Sequence, residues 1–144
     1  MKKRSVIVTT GTRADYGILR PILDEIKNSK KLDLKLIVTG SHFLKEYGMT
    51  VNQIKKDGYQ ITAKIPIIPK TDSKFELTKI LGECIVEFSK IFKKLKPDIN
   101  IIFGDRDEMF ASAIAAYHMN ILNAHIHGGD KSGGLDEYTR HAIT

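Results

Sequence analysis

The stretch Ile99-Asn-Ile-Ile-Phe103, followed at once by Gly104-Asp-Arg-Asp-Glu108, decides how the rest of the chain reads. Apolar residues at consecutive positions mark a strand buried on both faces, as in a parallel sheet, not one half-exposed to water. The polar cluster directly behind it then lies at the carboxyl end of that strand. Working outward, Pro97 ends a long amphipathic segment, and an alanine-rich stretch over residues 109–119 predicts a short helix able to pack closely on a sheet. Residues 121–126 predict the next strand.

The same alternation runs through the first hundred residues. Residues 5–10, rich in Val and Ile, predict a first buried strand, and residues 16–28 a helix with Leu19, Ile22, Leu23 and Ile26 on its inner stripe. Asp15 suits the N-cap of that helix, and Pro21 is tolerable if it falls near the first turn. Residues 32–38 predict a second strand. Helical material is expected from Thr39-Gly-Ser41 to a stop at Asp57-Gly58, then an edge-like strand over residues 60–68 ended by prolines. Ser73-Lys-Phe-Glu76 has the capping-box pattern. It opens the longest helix, with Leu77, Leu81, Cys84, Phe88, Phe92 and Leu95 along one face. Strand–helix alternation throughout predicts an α/β fold, a parallel sheet covered by helices on both faces.

Composition narrows the function classes. With 144 residues, 42% apolar and 28% charged, the chain fits one globular domain. Cys84 is the only cysteine, which leaves no disulfide framework or thiolate cluster. No apolar run reaches the roughly 18 residues of a membrane span, and the apolar stretch behind Met-Lys-Lys-Arg-Ser is too short for a signal peptide. A cytoplasmic protein without membrane association is expected. The net charge is +6, and the densest lysine runs, within residues 27–35 and 90–96, are interleaved with apolar residues. No nucleic-acid recognition pattern accompanies them, so specific nucleic-acid binding is not expected.

In parallel sheets of this kind, ligands bind beyond the carboxyl ends of the strands, near the point where strand order reverses. Three polar clusters fall there: Gly11-Thr-Arg-Ala-Asp15, Gly104-Asp-Arg-Asp-Glu108 and His125-Ile-His127-Gly-Gly-Asp130. With the first, fourth and fifth strands adjacent, segments far apart in sequence converge. The first loop is neither a dinucleotide fingerprint nor a phosphate loop. Arg13 offers a fork for phosphate or carboxylate, or else pairs with Asp15. Asp105, at the rim of a buried strand, suits proton transfer or N-capping; Glu108 suits substrate contact or the helix dipole. His125 and His127, two apart in extended backbone, point the same way, as bases, orienting groups or satisfied structural histidines. A metal is disfavoured for want of further ligands at recognisable spacing. Asp136 and Arg140 stand i and i+4 on a helix face, as a stabilising pair or a carboxylate held ready by an arginine. Cys84 is packing.

Four stretches, Gly11-Thr-Arg-Ala-Asp-Tyr-Gly17, Gly104-Asp-Arg-Asp-Glu108, His125-Ile-His-Gly-Gly-Asp130 and Asp136-Glu-Tyr-Thr-Arg-His-Ala-Ile-Thr144, together resemble the UDP-N-acetylglucosamine 2-epimerase family, in particular its hydrolysing, sialic-acid and nonulosonic-acid branch. The resemblance implies a three-layer Rossmann-like domain, the amino-terminal half of a glycosyltransferase-B-type two-domain fold. Residues 1–144 would be an incomplete first domain, with the second, nucleotide-binding domain absent. It implies catalytic roles for Asp105, His127 and Asp136, and substrate contacts from Arg13, Arg106, Glu108, Gly129, Asp130 and Arg140. His127 stands where relatives often have glutamate, and Asp130 where many have glutamate. The implied reaction converts UDP-N-acetylglucosamine and water to N-acetylmannosamine and UDP, through elimination of UDP and rehydration of a 2-acetamidoglucal, with no cofactor and no metal. Alternatives are a UDP-2,4-diacetamido-2,4,6-trideoxyglucose hydrolysing epimerase, a non-hydrolysing epimerase, a glycosyltransferase of similar fold, or a non-catalytic sugar-nucleotide-binding module. The 144 residues alone are expected to be inactive, and the whole protein a homo-oligomer.

Overall fold

A computed structural model describes residues 2–144. Five strands, β1 (Arg4–Thr10), β2 (Leu32–Thr39), β3 (Ile61–Ile65), β4 (Ile99–Phe103) and β5 (Leu122–Ile126), form one sheet in the order β3-β2-β1-β4-β5. Every pairing is parallel. The helices are α1 (Arg13–Asn28), α2 (Val51–Lys56), α3 (Lys74–Leu95), α4 (Asp107–His118) and α5 (Glu137–Ile143). Strand order reverses between β1 and β4, so the carboxyl ends of β1, β4 and β5 lie side by side, as the sequence predicts. Among the described residues, no helix is long and apolar enough to cross a membrane.

The strand pleat sorts the core into two layers. Val6, Val8, Leu36 and Val38 face α1 and pack with Leu19 and Leu23, while Ile7 and Ile37 face the other way against Phe88, Phe92 and Ala115. Phe88 and Phe92 are wholly buried; truncating such a ring costs about 3–5 kcal/mol. The alanine face of α4 lets that helix sit close to the sheet beside α3. One polar device interrupts this layer. Buried Asn100 of β4 donates to Ser112 Oγ (3.0 Å) and Asn123 Oδ1 (3.0 Å), tying β4 to α4 and β5. Coverage is uneven: β1 and β2 are enclosed, whereas Leu122, Asn123 and Ala124 of β5 are exposed. The expected cover on both faces therefore holds for the sheet's centre and fails at β5.

Several boundaries differ from the sequence reading, each for a local reason. Helix α1 begins at Arg13 with Thr12 as N-cap, not Asp15. Thr12 Oγ1 accepts from Asp15 N at 3.2 Å, and the Asp15 carboxylate reaches back to Thr12 N at 3.1 Å. This is a capping box with the shorter aspartate in the usual glutamate position. Pro21 consequently lies well inside α1, where its missing N–H frees a carbonyl at Gly17. Both residues are exposed, so water can take that bond. Between β2 and β3 the chain makes two 3-10 turns, Gly40–Phe43 and Lys45–Tyr47, before the short α2. At α3 the Ser73 side chain accepts from Glu76 N as its capping pattern predicts.

Candidate active site

The first loop is held from beneath. The Asp15 carboxylate, 5% exposed, accepts from Gly11 N (3.1 Å), from Thr12 N and from the Thr10 hydroxyl (2.5 Å). Thr10 Oγ1 also lies 2.9 Å from Nε2 of His42, a fully buried ring in the turn after β2. Burial pushes the His42 imidazole below its ordinary pKa, with Asp15 and Glu108 opposing. Asp15 therefore shapes the loop and does not pair with Arg13. Arg13 and Ala14, in the same first turn of α1, are exposed at the cleft.

The second cluster meets the first. Gly104 follows β4, and the carboxylate of Asp105 next to it accepts a hydrogen bond from Arg140 Nη2. Both side chains are largely enclosed, 16% and 15% exposed. Arg106 reaches Glu108, with Nε 3.3 Å from its carboxylate. Glu108 in turn fills a niche against the backbones of Gly11 and Gly40. A Cβ at Gly40 would lie 2.5 Å from Glu108 Oε1 and 2.7 Å from the Gly11 carbonyl oxygen. Gly40 also has φ of +60°, so glycine is required there on two counts. Asp107, at the start of α4, has its carboxyl pKa raised by desolvation and by the like charge of Glu108, Arg106 opposing.

The third cluster departs from its expected geometry. His125 and His127 do not point the same way, because His127 lies past the end of β5 with φ of +62°. Strand alternation thus stops one residue too early to align them. His125 is a satisfied structural residue, bonded to the Gly104 carbonyl (2.7 Å) and Thr144 Oγ1 (2.9 Å). His127 sets its ring edge-on to Phe103 and places Nδ1 3.0 Å from Asp130 Oδ2. The i,i+4 pair of Asp136 with Arg140 does not form. Arg140 turns to Asp105 instead and donates from Nη1 to the Asp130 carbonyl at 3.2 Å.

These elements surround a cleft of about 1120 Å³ at the carboxyl ends of the strands. Arg13, Asp105, Arg106, Glu108 and Asp136 line it, with Arg140 directly behind Asp105. His127, Gly129 and Asp130 are outside that lining. Among the described residues, no group of three or more His, Cys, Asp or Glu side chains is arranged to hold a metal ion.

A sequence model for UDP-N-acetylglucosamine 2-epimerase matches residues 24–144. The chain belongs to the UDP-N-acetylglucosamine 2-epimerase family. It is 43% identical over 141 residues to the UDP-N,N'-diacetylbacillosamine 2-epimerase (hydrolyzing) of Legionella pneumophila, covering 98% of this chain and 37% of that protein. It is 39% identical over 145 residues to the GDP/UDP-N,N'-diacetylbacillosamine 2-epimerase (hydrolyzing) of Campylobacter jejuni, covering 100% of this chain and 38% of that one. A crystal structure of a UDP-N-acetylglucosamine 2-epimerase superposes with a TM-score of 0.85 at 25% identity, over 99% of this chain and 38% of that chain. The chain thus spans little more than a third of the length of the curated relatives it matches.

The cleft sets guanidinium groups beside a paired carboxylate, an arrangement able to hold a charged group and to exchange protons. Its other wall is one that sequence reasoning missed. Ser41, Glu46, Tyr47 and Thr50, from the turns after β2, line the cleft, as do Ile80 and Leu81 of α3. The rule that located the other clusters, the carboxyl end of a strand beside β1, also points to Thr39-Gly-Ser41. Cys84 reaches the cleft's base, but burial pushes its thiol pKa up to about 11, consistent with packing.

Proposed function

We propose that these residues form the amino-terminal domain of a hydrolysing UDP-sugar 2-epimerase, and that a second domain completes the nucleotide grip. The observation that carries the reading is the Asp105–Arg140 pair at the rim of β4, in one cleft with Arg13, Arg106 and Asp136. Two relatives at 43% and 39% identity, both named as hydrolyzing 2-epimerases, support the hydrolytic outcome.

In this reading, a base removes the proton at C2 while the C1–O bond breaks and UDP leaves. Arg13 and Arg106 face the departing diphosphate charge. Water then adds at C1 of the 2-acetamidoglucal and a proton returns to the opposite face of C2, giving the manno sugar and UDP. Asp105, positioned by Arg140, and Asp136 take the two proton-transfer roles. His127, an imidazole in place of a carboxylate, serves only once a substrate brings its loop to the cleft. Gly129 and Asp130 belong to that same loop and would contact substrate with it.

Two sugars compete. The names of the two relatives favour a 2,4-diacetamido-2,4,6-trideoxy donor over UDP-N-acetylglucosamine. Proton NMR in D2O with each UDP-sugar and the whole protein separates them. Free manno product carrying deuterium at C2, with UDP released, is the expected result. A deuterated sugar still attached to UDP would replace hydrolysis by simple epimerisation, and no exchange with either donor would reject the reading. The 144 residues alone are expected to release no UDP above background.

A further inference from the structure

His42 is wholly buried, yet both ring nitrogens are occupied: Nε2 lies 2.9 Å from Thr10 Oγ1 and Nδ1 2.6 Å from Thr50 Oγ1. The direction of each proton follows by elimination. The Asp15 carboxylate can only accept, and its oxygen 2.5 Å away claims the Thr10 hydroxyl proton. The other acceptor in reach of Thr10, the Thr12 carbonyl at 3.4 Å, is too far to compete. Thr10 Oγ1 then has only lone pairs to offer, so His42 Nε2 carries a proton. A buried imidazole resists a second proton, so Nδ1 is bare and accepts from the Thr50 hydroxyl. The line runs one way, from Thr50 through His42 and Thr10 to Asp15.

Its ends matter because they stand on different walls of the cleft. Thr50 lines the wall after β2, and Asp15 fixes the loop that presents Thr12, Arg13 and Ala14 on the wall after β1. A core side chain that only filled space would need neither polar bond, since an apolar residue of similar size avoids desolvating the ring. We infer that His42 is a positioning residue, whose neutral, Nε2-protonated ring struts the two walls together and sets where Arg13 meets the substrate's diphosphate. The strut stands on geometry alone; its effect on diphosphate rests on the epimerase reading.

Long-range proton–nitrogen NMR of the ring-labelled chain at pH 7 tests the strut without substrate, His42 being assigned by the signal lost in His42→Gln. A proton on Nε2 and a bare Nδ1 are expected; a proton on Nδ1, or a charged ring, overturns the inference. Two variants then split the bonds. A glutamine amide nitrogen can take the place of Nε2 and donate to Thr10, whereas an asparagine reaches only the place of Nδ1. Amide exchange at Gly11 and Thr12 is expected to be at least about tenfold faster in His42→Asn than in His42→Gln, with β1 amides such as Ile7 alike in both. Equal exchange in the two variants overturns the inference. Should His42→Asn not fold, the wild-type ring signals decide. In the whole protein, kcat/KM for the UDP-sugar is expected to be on the order of 100-fold lower in His42→Asn than in His42→Gln. Wild-type protein without turnover would remove the epimerase reading and leave the ring and exchange tests standing.

Discussion

The two sides of the cleft are built by different means. On the side of β1 and β2, Thr10, Asp15 and His42 are buried, each with a defined set of partners. Past β5, residues 130–136 are exposed, Leu135 by 97%, and His127, Gly129 and Gly133 all have left-handed backbone. That segment is tied down by a few bonds, from Gly129 N to Thr144, from Gly133 N to Glu137 and from Arg140 to the Asp130 carbonyl. On the proposed epimerase reading, the difference would separate two tasks. Groups that meet a diphosphate gain from being fixed beforehand, because reorienting dipoles during reaction costs activation energy. Groups that must reach both faces of a sugar ring gain from a segment that can adapt to it.

The largest effect belongs to Asp105, which joins both sides through Arg140. Asp105→Asn is expected to lower turnover by about 10²–10⁴-fold, the usual contribution of a proton-transfer group. It also leaves the Arg140 guanidinium without its counter-charge, and with both side chains about 15% exposed the loss is about 2 kcal/mol, below the range for fully buried pairs. Turnover and urea denaturation of the same variant read the two effects. If more than a tenth of the activity survives, the proton-transfer group lies elsewhere, and the segment past β5 becomes its first candidate.

Two glycines compare the sides directly. Gly40 and Gly129 have similar φ, +60° and +73°, so an alanine at either meets the same backbone strain of about 1 kcal/mol. At Gly129 the added Cβ has nothing within 4 Å, whereas at Gly40 it would press on Glu108 and on the Gly11 carbonyl. Gly129→Ala is therefore expected to cost about 1 kcal/mol and Gly40→Ala about 3 kcal/mol, since the backbone oxygen cannot swing aside. Denaturation midpoints of the two variants give the difference. Equal costs would mean that the first loop yields as readily as the exposed segment.

The strands and their convergence were legible because the signal is local: runs of Val and Ile, then Gly-Thr-Arg where β1 ends and Gly-Asp where β4 ends. Asp105, Arg106 and Glu108 could be assigned to one cleft with Arg13 on that basis alone. The first turn of α1 misled because aspartate stands where a capping box usually has glutamate, so Asp15 read as the cap and not as its reciprocal partner. His42 escaped notice as a site residue because the 3-10 turns after β2 have no periodicity to place it. The choice of Arg140 between Asp136 and Asp105 is tertiary, as the helix rule sees only neighbours on one helix. His127 shows the same limit from the backbone side. A left-handed histidine breaks the period-2 alignment with His125, and nothing in the residue type announces it.

Acidification sharpens the comparison from the side of His42. Its folded pKa is lowered, burial outweighing the attraction of Asp15 and Glu108, so the unfolded chain binds the proton more readily. Stability should then be complete above the unfolded value of about 6.5 and decline as pH falls through the window below it. The other faces of the ring meet Thr10, Thr50 and the edge of Tyr16, none of which gains charge there. Denaturation of wild type and His42→Gln between pH 7 and 5 isolates the effect: the wild type should lose more over that interval. A parallel decline would assign the acid sensitivity to other groups.

Asp130→Ala probes the opposite side and should do least to the fold. The His127–Asp130 pair is exposed, 61% and 59%, and pairs of that kind contribute about 0–1 kcal/mol. The bond that steadies the segment uses the Asp130 carbonyl, which alanine retains, so Arg140 keeps its second partner. Phe103 still meets the edge of the His127 ring when the carboxylate is gone. Stability should therefore stay within about 0.5 kcal/mol of wild type by urea denaturation, while turnover falls if the carboxylate orients His127 in the bound state. A loss above about 1 kcal/mol, the upper end for an exposed pair, would make the segment past β5 as firmly built as the first loop. The cleft would then be rigid on both sides, and any movement needed to serve the two sugar faces would have to come from the sugar.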